Sequence, residues 1–390
     1  MSKTLRIGAA RVNITPPAGA AMIATRGRSA TATGALDPIN ARAVVFADIA
    51  NRPVVLIALD LFDLPRTDAD ALRMVAAEQV GTSADRVAVA CTHTHSGPAT
   101  FPLRDQPIDK EYLHDLQDHV RKLVQLAWGR RKPARMTVGT APLALAGPGD
   151  GDDTIRALLA SDTAECPICV LLEYACHPAS APAGETLFSG DFAGRAAASL
   201  EADYGTDVVV IYLNGCAGNL YPRAAYAGSV EALAAATEAA AKAGHAAVVN
   251  ASSAAQPDGI ALDAIRAVIP LPCGKDAAGS PTFMPMAVTH LTLGPVELVT
   301  ISGEVFFEVG QDLRRRTGRP DLWVAAYCNG SAGGHVAGDS ALSAARAADK
   351  TQGYLRPPLL PGAAEKLLSE TYRMLTTPRA PAKIEGRRGL

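Results

Sequence analysis

Aromatic residues make up only 5% of this 390-residue chain, and two of them are tryptophans. That leaves little to stack on nucleic-acid bases. Excess charge is lacking too: 37 basic residues face 39 acidic ones, the formal net charge is −2, and no basic block occurs. Binding to nucleic acid through its phosphates is thereby excluded. Long apolar runs are missing. The longest, such as PVVLIAL (53–59), are too short to span a bilayer. The opening MSKTLRIGAARVNITPPAG has no apolar stretch long enough for a signal peptide. No membrane partner is expected. Cysteine is odd in number and scattered, at 91, 166, 169, 176, 216, 273 and 328. Such a set suits a reducing compartment, so a cytoplasmic location is expected. Cys166 and Cys169 form a CxxC with no second pair, which reads as buried thiols ahead of a redox or zinc role.

What the chain has is core. Hydrophobic residues make up 48% and charged residues 19%. Six continuous β-branched runs read as buried parallel strands: 53–60, 86–91, 169–175, 207–215, 296–302 and 322–330. Helical patterns lie between them, at 67–81, 191–205 and 229–247. The first has a capping-box-like start at Thr67 and Asp70 and a stop at Gly81. This alternation predicts an α/β fold, a mostly parallel sheet flanked by helices. The Pro/Gly stretches 145–153 and 269–286 read as loops, and no internal repeat is present. One domain is expected over residues 1–382. The tail 383–390 contains IEGR, which looks like an introduced protease-cleavage site and is set aside.

Ligands bind at the carboxyl ends of strands in α/β sheets. The residues that follow the six runs are therefore informative. They are Asp60; His93 and His95; His177; Asn214 and the polar loop to Arg223; Glu304; and Asn329 followed by His335. The chain has only eight histidines. Imidazole and carboxylate groups from separate strands are how a catalytic zinc site is assembled, with three protein ligands and one open position. If 93–95 is extended, both rings of the HTH project to one face and both can ligate. Otherwise one ligates and the other is an acid/base or substrate contact.

Seven segments carry a resemblance to a known family. They are IGAARVNITPPAG (7–19), INARAVVFAD (39–48), VACTHTHSGP (89–98), EYACHPAS (173–180), SGDFAGRAAASLE (189–201), LNGCAGNLYPR (213–223) and ISGEVFFEVG (301–310). Their order and spacing resemble the neutral/alkaline ceramidases, a group of zinc amidohydrolases, over roughly residues 5 to 375. The resemblance implies one Zn2+ held by His93, His177 and Glu304, with His95 beside the substrate. It departs where substrate is handled. GNLYP has Asn219 and Tyr221 in place of the family's Asp and Ser. NGSAGGH (329–335) lacks the family's Tyr-x-Gly-Tyr, leaving His335 as a fourth ligand or an oxyanion donor. The family's C-terminal immunoglobulin-like domain is not expected here.

The expected activity is zinc-dependent hydrolysis of an amide or cyclic amide bond in a small soluble substrate. Ester or lactone hydrolysis with the same site, and a non-catalytic metal-containing binding protein, are the alternatives. His95, Tyr221 and His335 are the expected catalytic groups. Asn214, Asn219 and Arg223 are expected to contact substrate. Asp60 and Asp191 are expected to orient ligand histidines through the second ring nitrogen.

Overall fold

The fold comes from a computed structural model. It describes residues 5–377 apart from 24–30, 49–51, 104–105, 148–152, 183, 206, 224–228, 255–260, 332 and 342–358. The tail 383–390 lies outside the described residues.

The strands up to the middle of the chain are β1 (Arg6–Asn13), β2 (Gly34–Ala35), β3 (Asn40–Ala47), β4 (Val54–Leu59), β5 (Val87–Cys91), β6 (Lys132–Pro142), β7 (Thr154–Asp162), β8 (Pro167–Tyr174), β9 (Leu187–Phe188) and β10 (Val209–Asn214). Eight of them form one sheet in the order β10-β8-β7-β6-β1-β3-β4-β5. Only the outer pairs are parallel, β4 with β5 and β8 with β10. The inner pairings are antiparallel, so the sheet is mixed and the expectation of a mostly parallel sheet is corrected. Its halves meet through two residue pairs of β1 and β6, Arg6↔Pro133 and Ile7↔Lys132.

The continuous apolar runs report burial on both faces, and strand direction is not part of that signal. Helices α1 (Arg66–Val80), α2 (Lys110–Gly129), α3 (Asp191–Tyr204) and α4 (Val230–Ser252) cover one face. A second sheet covers the other, through β11 (Leu262–Lys275), β12 (Pro281–Leu293), β13 (Val296–Ile301) and β15 (Trp323–Ala325). Phe46, Leu56, Leu171 and Ile211 of the large sheet pack there on Leu291, Leu298 and Trp323. Helices α5 (Phe307–Thr317) and α6 (Ala363–Thr376) pack on each other, and α6 lies against β11 and β12. The layers run helix, sheet, sheet, helix.

Two local expectations are also corrected. The 269–286 stretch is a hairpin of β11 and β12, with a register shift between Pro272 and Gly274. Pro270 and Pro272 are tolerated because β11 is an edge strand, and Pro281 and Pro285 because β13 pairs with β12 only from Val288 onward. Helix α1 starts at Arg66 behind Pro65, with no side-chain cap; Gly81 stops it in the left-handed conformation as the sequence suggested. In the CxxC, Cys166 is exposed while Cys169 is buried between the sheets. No described helix is long and apolar enough to cross a membrane.

Candidate metal centre

The buried run VAVAC ends at Cys91, and the chain then turns. His93 has φ 69, a left-handed conformation that costs a non-glycine residue about 1–3 kcal/mol. So 93–95 is not extended, and the two rings of the HTH meet through a turn, at 5.1 Å between centroids and 79°. Their approach to one place is as the sequence suggested, for a different geometric reason. His93 Nδ1 lies 2.7 Å from the Phe62 carbonyl. A carbonyl only accepts, so Nδ1 carries the proton and Nε2 presents its lone pair to the site. That Nε2 is buried and has no hydrogen-bond partner among the described residues.

His177 repeats the arrangement. Its Nδ1 donates to the Ala217 carbonyl at 2.6 Å, and its Nε2 faces the same centre. Burial holds its pKa below the ordinary value, which keeps the ring neutral and able to ligate. His93, His95 and His177 form one group whose donor atoms all lie within 4.8 Å of one another. The His95 backbone amide donates to the Pro178 carbonyl, tying the two histidine loops together.

Glu304 enters from the second sheet. Gly303, at φ +78, turns the chain out of β13 into the two-residue strand β14 (Glu304–Val305). That strand pairs in parallel with β16 (His335–Val336), setting Glu304 opposite His335. Glu304 Oε2 then lies 3.6 Å from His93 Nε2, 3.4 Å from His177 Nε2 and 3.1 Å from His335 Nε2. Donors of a tetrahedral zinc site, each about 2.0–2.1 Å from the ion, are about 3.3 Å apart. The spacing to Glu304 therefore suits a metal ion, and His93, His95 and His177 form the group able to hold one. Burial works against ionisation of Glu304, but the neighbouring His335 and His93 imidazoles hold its carboxyl well below the usual carboxylate range.

Two tyrosines flank the ligand rings. Tyr221 stacks on His177, with centroids 4.3 Å apart and planes 19° apart. Tyr327 stacks on His93 at 4.1 Å and 29°. Sequence reading missed Tyr327 because it lies two residues before the NGSAGGH segment in which the resemblance looks for a phenol. Its hydroxyl is buried without a hydrogen-bond partner among the described residues. Burial, and then the Glu304 carboxylate, push its pKa well up, so it remains a donor. Asp63 was missed as well. It is buried, accepts from Ser331 Oγ at 2.6 Å, and is pushed up to about 6 by that burial. Its only sequence signal was its place just past the β4 end. Among described non-glycine residues, positive φ occurs at His93, Tyr327 and Asn329 in the segments that carry this centre, and at Glu165 and Asp191 elsewhere. Strain of this kind concentrates at functional sites.

Other expected site residues sit apart from the reacting space. Asp60 accepts from Arg42 Nη1 and from the Asn40 amide, both at 2.9 Å, and packs against Gly190 and Gly194 of the α3 start. Asp191 accepts from the amides of Ser180, Ala181 and Phe192, fixing the turn after His177. Neither touches a ring nitrogen of His93 or His177, because backbone carbonyls take those positions. Asn219 is exposed, accepts from the Phe307 amide and donates to Glu308, capping α5. Arg223 is exposed and donates to the Ala146 carbonyl. Asn214 is fully buried and bonded to the main chain on both sides, which leaves it no substrate to meet.

The fold is similar to that of solved ceramidase structures, and the histidine group is a possible metal site within it. A crystal structure of neutral ceramidase from Pseudomonas aeruginosa superposes with a TM-score of 0.78 at 17% identity, covering 95% of this chain and 74% of that one. A ceramidase structure complexed with C2 matches equally, with the same identity and coverage. No family model matches the chain, and no curated protein matches it by sequence.

Proposed function

We propose that the protein is a zinc-dependent hydrolase of an amide or cyclic amide bond in a small soluble substrate. The observation that carries this reading is the convergence of the His93, His177 and His335 Nε2 atoms on one oxygen of Glu304, at 3.1–3.6 Å. His93, His177 and Glu304 would hold the ion, with His335 completing the set. When bound, zinc supplies a Lewis acid that polarises a carbonyl and acidifies water.

The remaining chemistry belongs to the side chains. His93 and His177 are aimed by the Phe62 and Ala217 carbonyls, which accept from Nδ1 and turn each Nε2 toward the centre. His95, half-buried and beside both rings, takes a proton from water and returns it to the leaving nitrogen. Tyr327 and Tyr221 donate to the oxygen on which negative charge develops. A ceramide substrate is disfavoured, because Tyr221 and His335 replace the groups by which the family handles its amide.

The test is purified protein, assayed for metal content and then against a panel of amides, cyclic amides, esters and lactones. Turnover of an amide with one zinc per chain supports the reading. Full zinc occupancy with no turnover on any member would leave a metal-containing binding protein.

A further inference from the structure

Two of the strand ends finish in the same dipeptide, Asn214-Gly215 and Asn329-Gly330. Both asparagine side chains are completely buried. Neither faces the reacting space as a free amide, since every hydrogen bond they make is to another strand. Asn214 Oδ1 accepts from the Cys176 amide at 3.2 Å, and its Nδ2 donates to the Thr92 carbonyl at 3.2 Å. Cys176 immediately precedes His177, and Thr92 immediately precedes His93. One side-chain amide therefore spans the backbones of both histidines at the residue before each ring. No backbone ladder joins β5 to β8 among the described residues, since the two strands belong to opposite halves of the large sheet.

Asn329 performs the matching task toward the second sheet. Its Oδ1 accepts from the Val89 amide at 3.0 Å. Its Nδ2 donates to Thr289 Oγ1 at 3.2 Å and Thr300 Oγ1 at 3.3 Å. Val89 lies on β5, which leads to His93. Thr300 lies on β13, which leads to Glu304. Its left-handed φ of 56 turns the chain so that the amide can reach both strands.

The geometry points to Asn214 and Asn329 as positioning residues for the metal centre. Asn214 sets the separation of His93 from His177, and Asn329 sets the separation of His93 from Glu304. An asparagine suits the task because it both donates and accepts; aspartate can only accept, and leucine does neither. This role presupposes the metal centre proposed above.

The experiment uses Co2+ as the probe, with chelator competition for affinity and the visible spectrum for ligand geometry. The variants are Asn214→Ala, the isosteric Asn214→Asp, and Asn329→Asp. The control is Leu213→Ala, one residue away on the same strand but buried in the core between the sheets. Support for hydrogen-bonded ligand positioning is a 10- to 100-fold loss of Co2+ affinity with an altered spectrum in the asparagine variants. The control should lose thermal stability while keeping wild-type affinity and spectrum. Should Asn214→Ala fail to fold, Asn214→Asp decides, because it keeps the shape and the bond from Cys176 and replaces the donation to Thr92 with an oxygen that repels that carbonyl. Wild-type affinity and spectrum in Asn214→Asp and Asn329→Asp would overturn the role. So would an equal loss in Leu213→Ala, which would mark the effect as general destabilisation. A wild-type protein that takes up no Co2+ would refute the metal centre itself, a separate result.

Discussion

His335 lies 3.1 Å from Glu304 because the two residues face each other across a parallel ladder only two residues long. The contact is built by backbone pairing, so it does not depend on a flexible side chain reaching across the glycine-rich loop. His335→Ala is expected to weaken metal binding, since the imidazole sits at ligand spacing from Glu304. Chelator competition measures this. Unchanged affinity together with a reduced kcat would reassign His335 to oxyanion stabilisation.

His93→Ala and His177→Ala should each lose the metal and remain folded. Both side chains are held by backbone carbonyls of loops whose main-chain bonds survive the substitution. Elemental analysis beside circular dichroism checks this. Full zinc occupancy in both variants would refute the ligand set.

His95→Gln should keep the metal and lose roughly 10²–10⁴-fold in kcat, the usual contribution of a general acid–base group. Loss of metal in this variant would instead make His95 a ligand.

Tyr327→Phe separates function from stability. Its buried hydroxyl has no partner among the described residues, so removing it should leave Tm unchanged or raised. Loss of an oxyanion donor typically costs about 10²–10³ in kcat. A variant with both wild-type kcat and raised Tm would show the phenol to be packing alone.

Asp63 predicts a pH dependence in the metal-free protein. Burial raises its pKa from 3.8 to about 6 in the folded chain, so the folded state holds an extra proton between those values. Stability from this group is complete below about pH 4 and is lost as pH rises through 6. A shift of that size corresponds to at most about 3 kcal/mol. Asp63→Asn should therefore gain on wild type between pH 4 and 7, as read by urea unfolding. Parallel curves across that range would contradict the assignment.

The strand ends were legible because burial along them is nearly complete: β4 and β5 are unbroken apolar runs, β8 and β10 are apolar apart from Glu173 and the terminal Asn214, and the polar residues after the strands stand out. His93, His177, Glu304 and His335 were singled out from strand ends, and the three imidazoles lie 3.1–3.6 Å from Glu304 Oε2. Strand direction was not legible, since a second sheet buries a strand as thoroughly as a layer of helices does. The antiparallel centre was also obscured at β6, where Lys132–Pro142 alternates and begins and ends near prolines. Helix α2 went unassigned although Asp109 caps it through the Tyr112 amide. Asp60 was chosen over Asp63 because it directly follows the apolar run. Which of two nearby acids faces the centre depends on the turn at 60–64, and that is set by contacts with distant chain. Tyr327 lay hidden inside an apolar run where a tyrosine reads as core.

Among the described residues the backbone ladder between the two halves of the large sheet is only the short seam at Arg6–Pro133 and Ile7–Lys132, and side-chain bonds such as Asn214 to Thr92 add to it. His93 hangs from one half, His177 from the other, and Glu304 from the second sheet. An ion at that point would act as a rivet through three plates, beside the Asn214 and Asn329 bonds that already join them. Its binding energy would be spent on holding the plates together as well as on chemistry. Metal uptake should then raise Tm with the logarithm of free metal. It should also slow amide exchange along β5, β8 and β13 together, strands far apart in sequence.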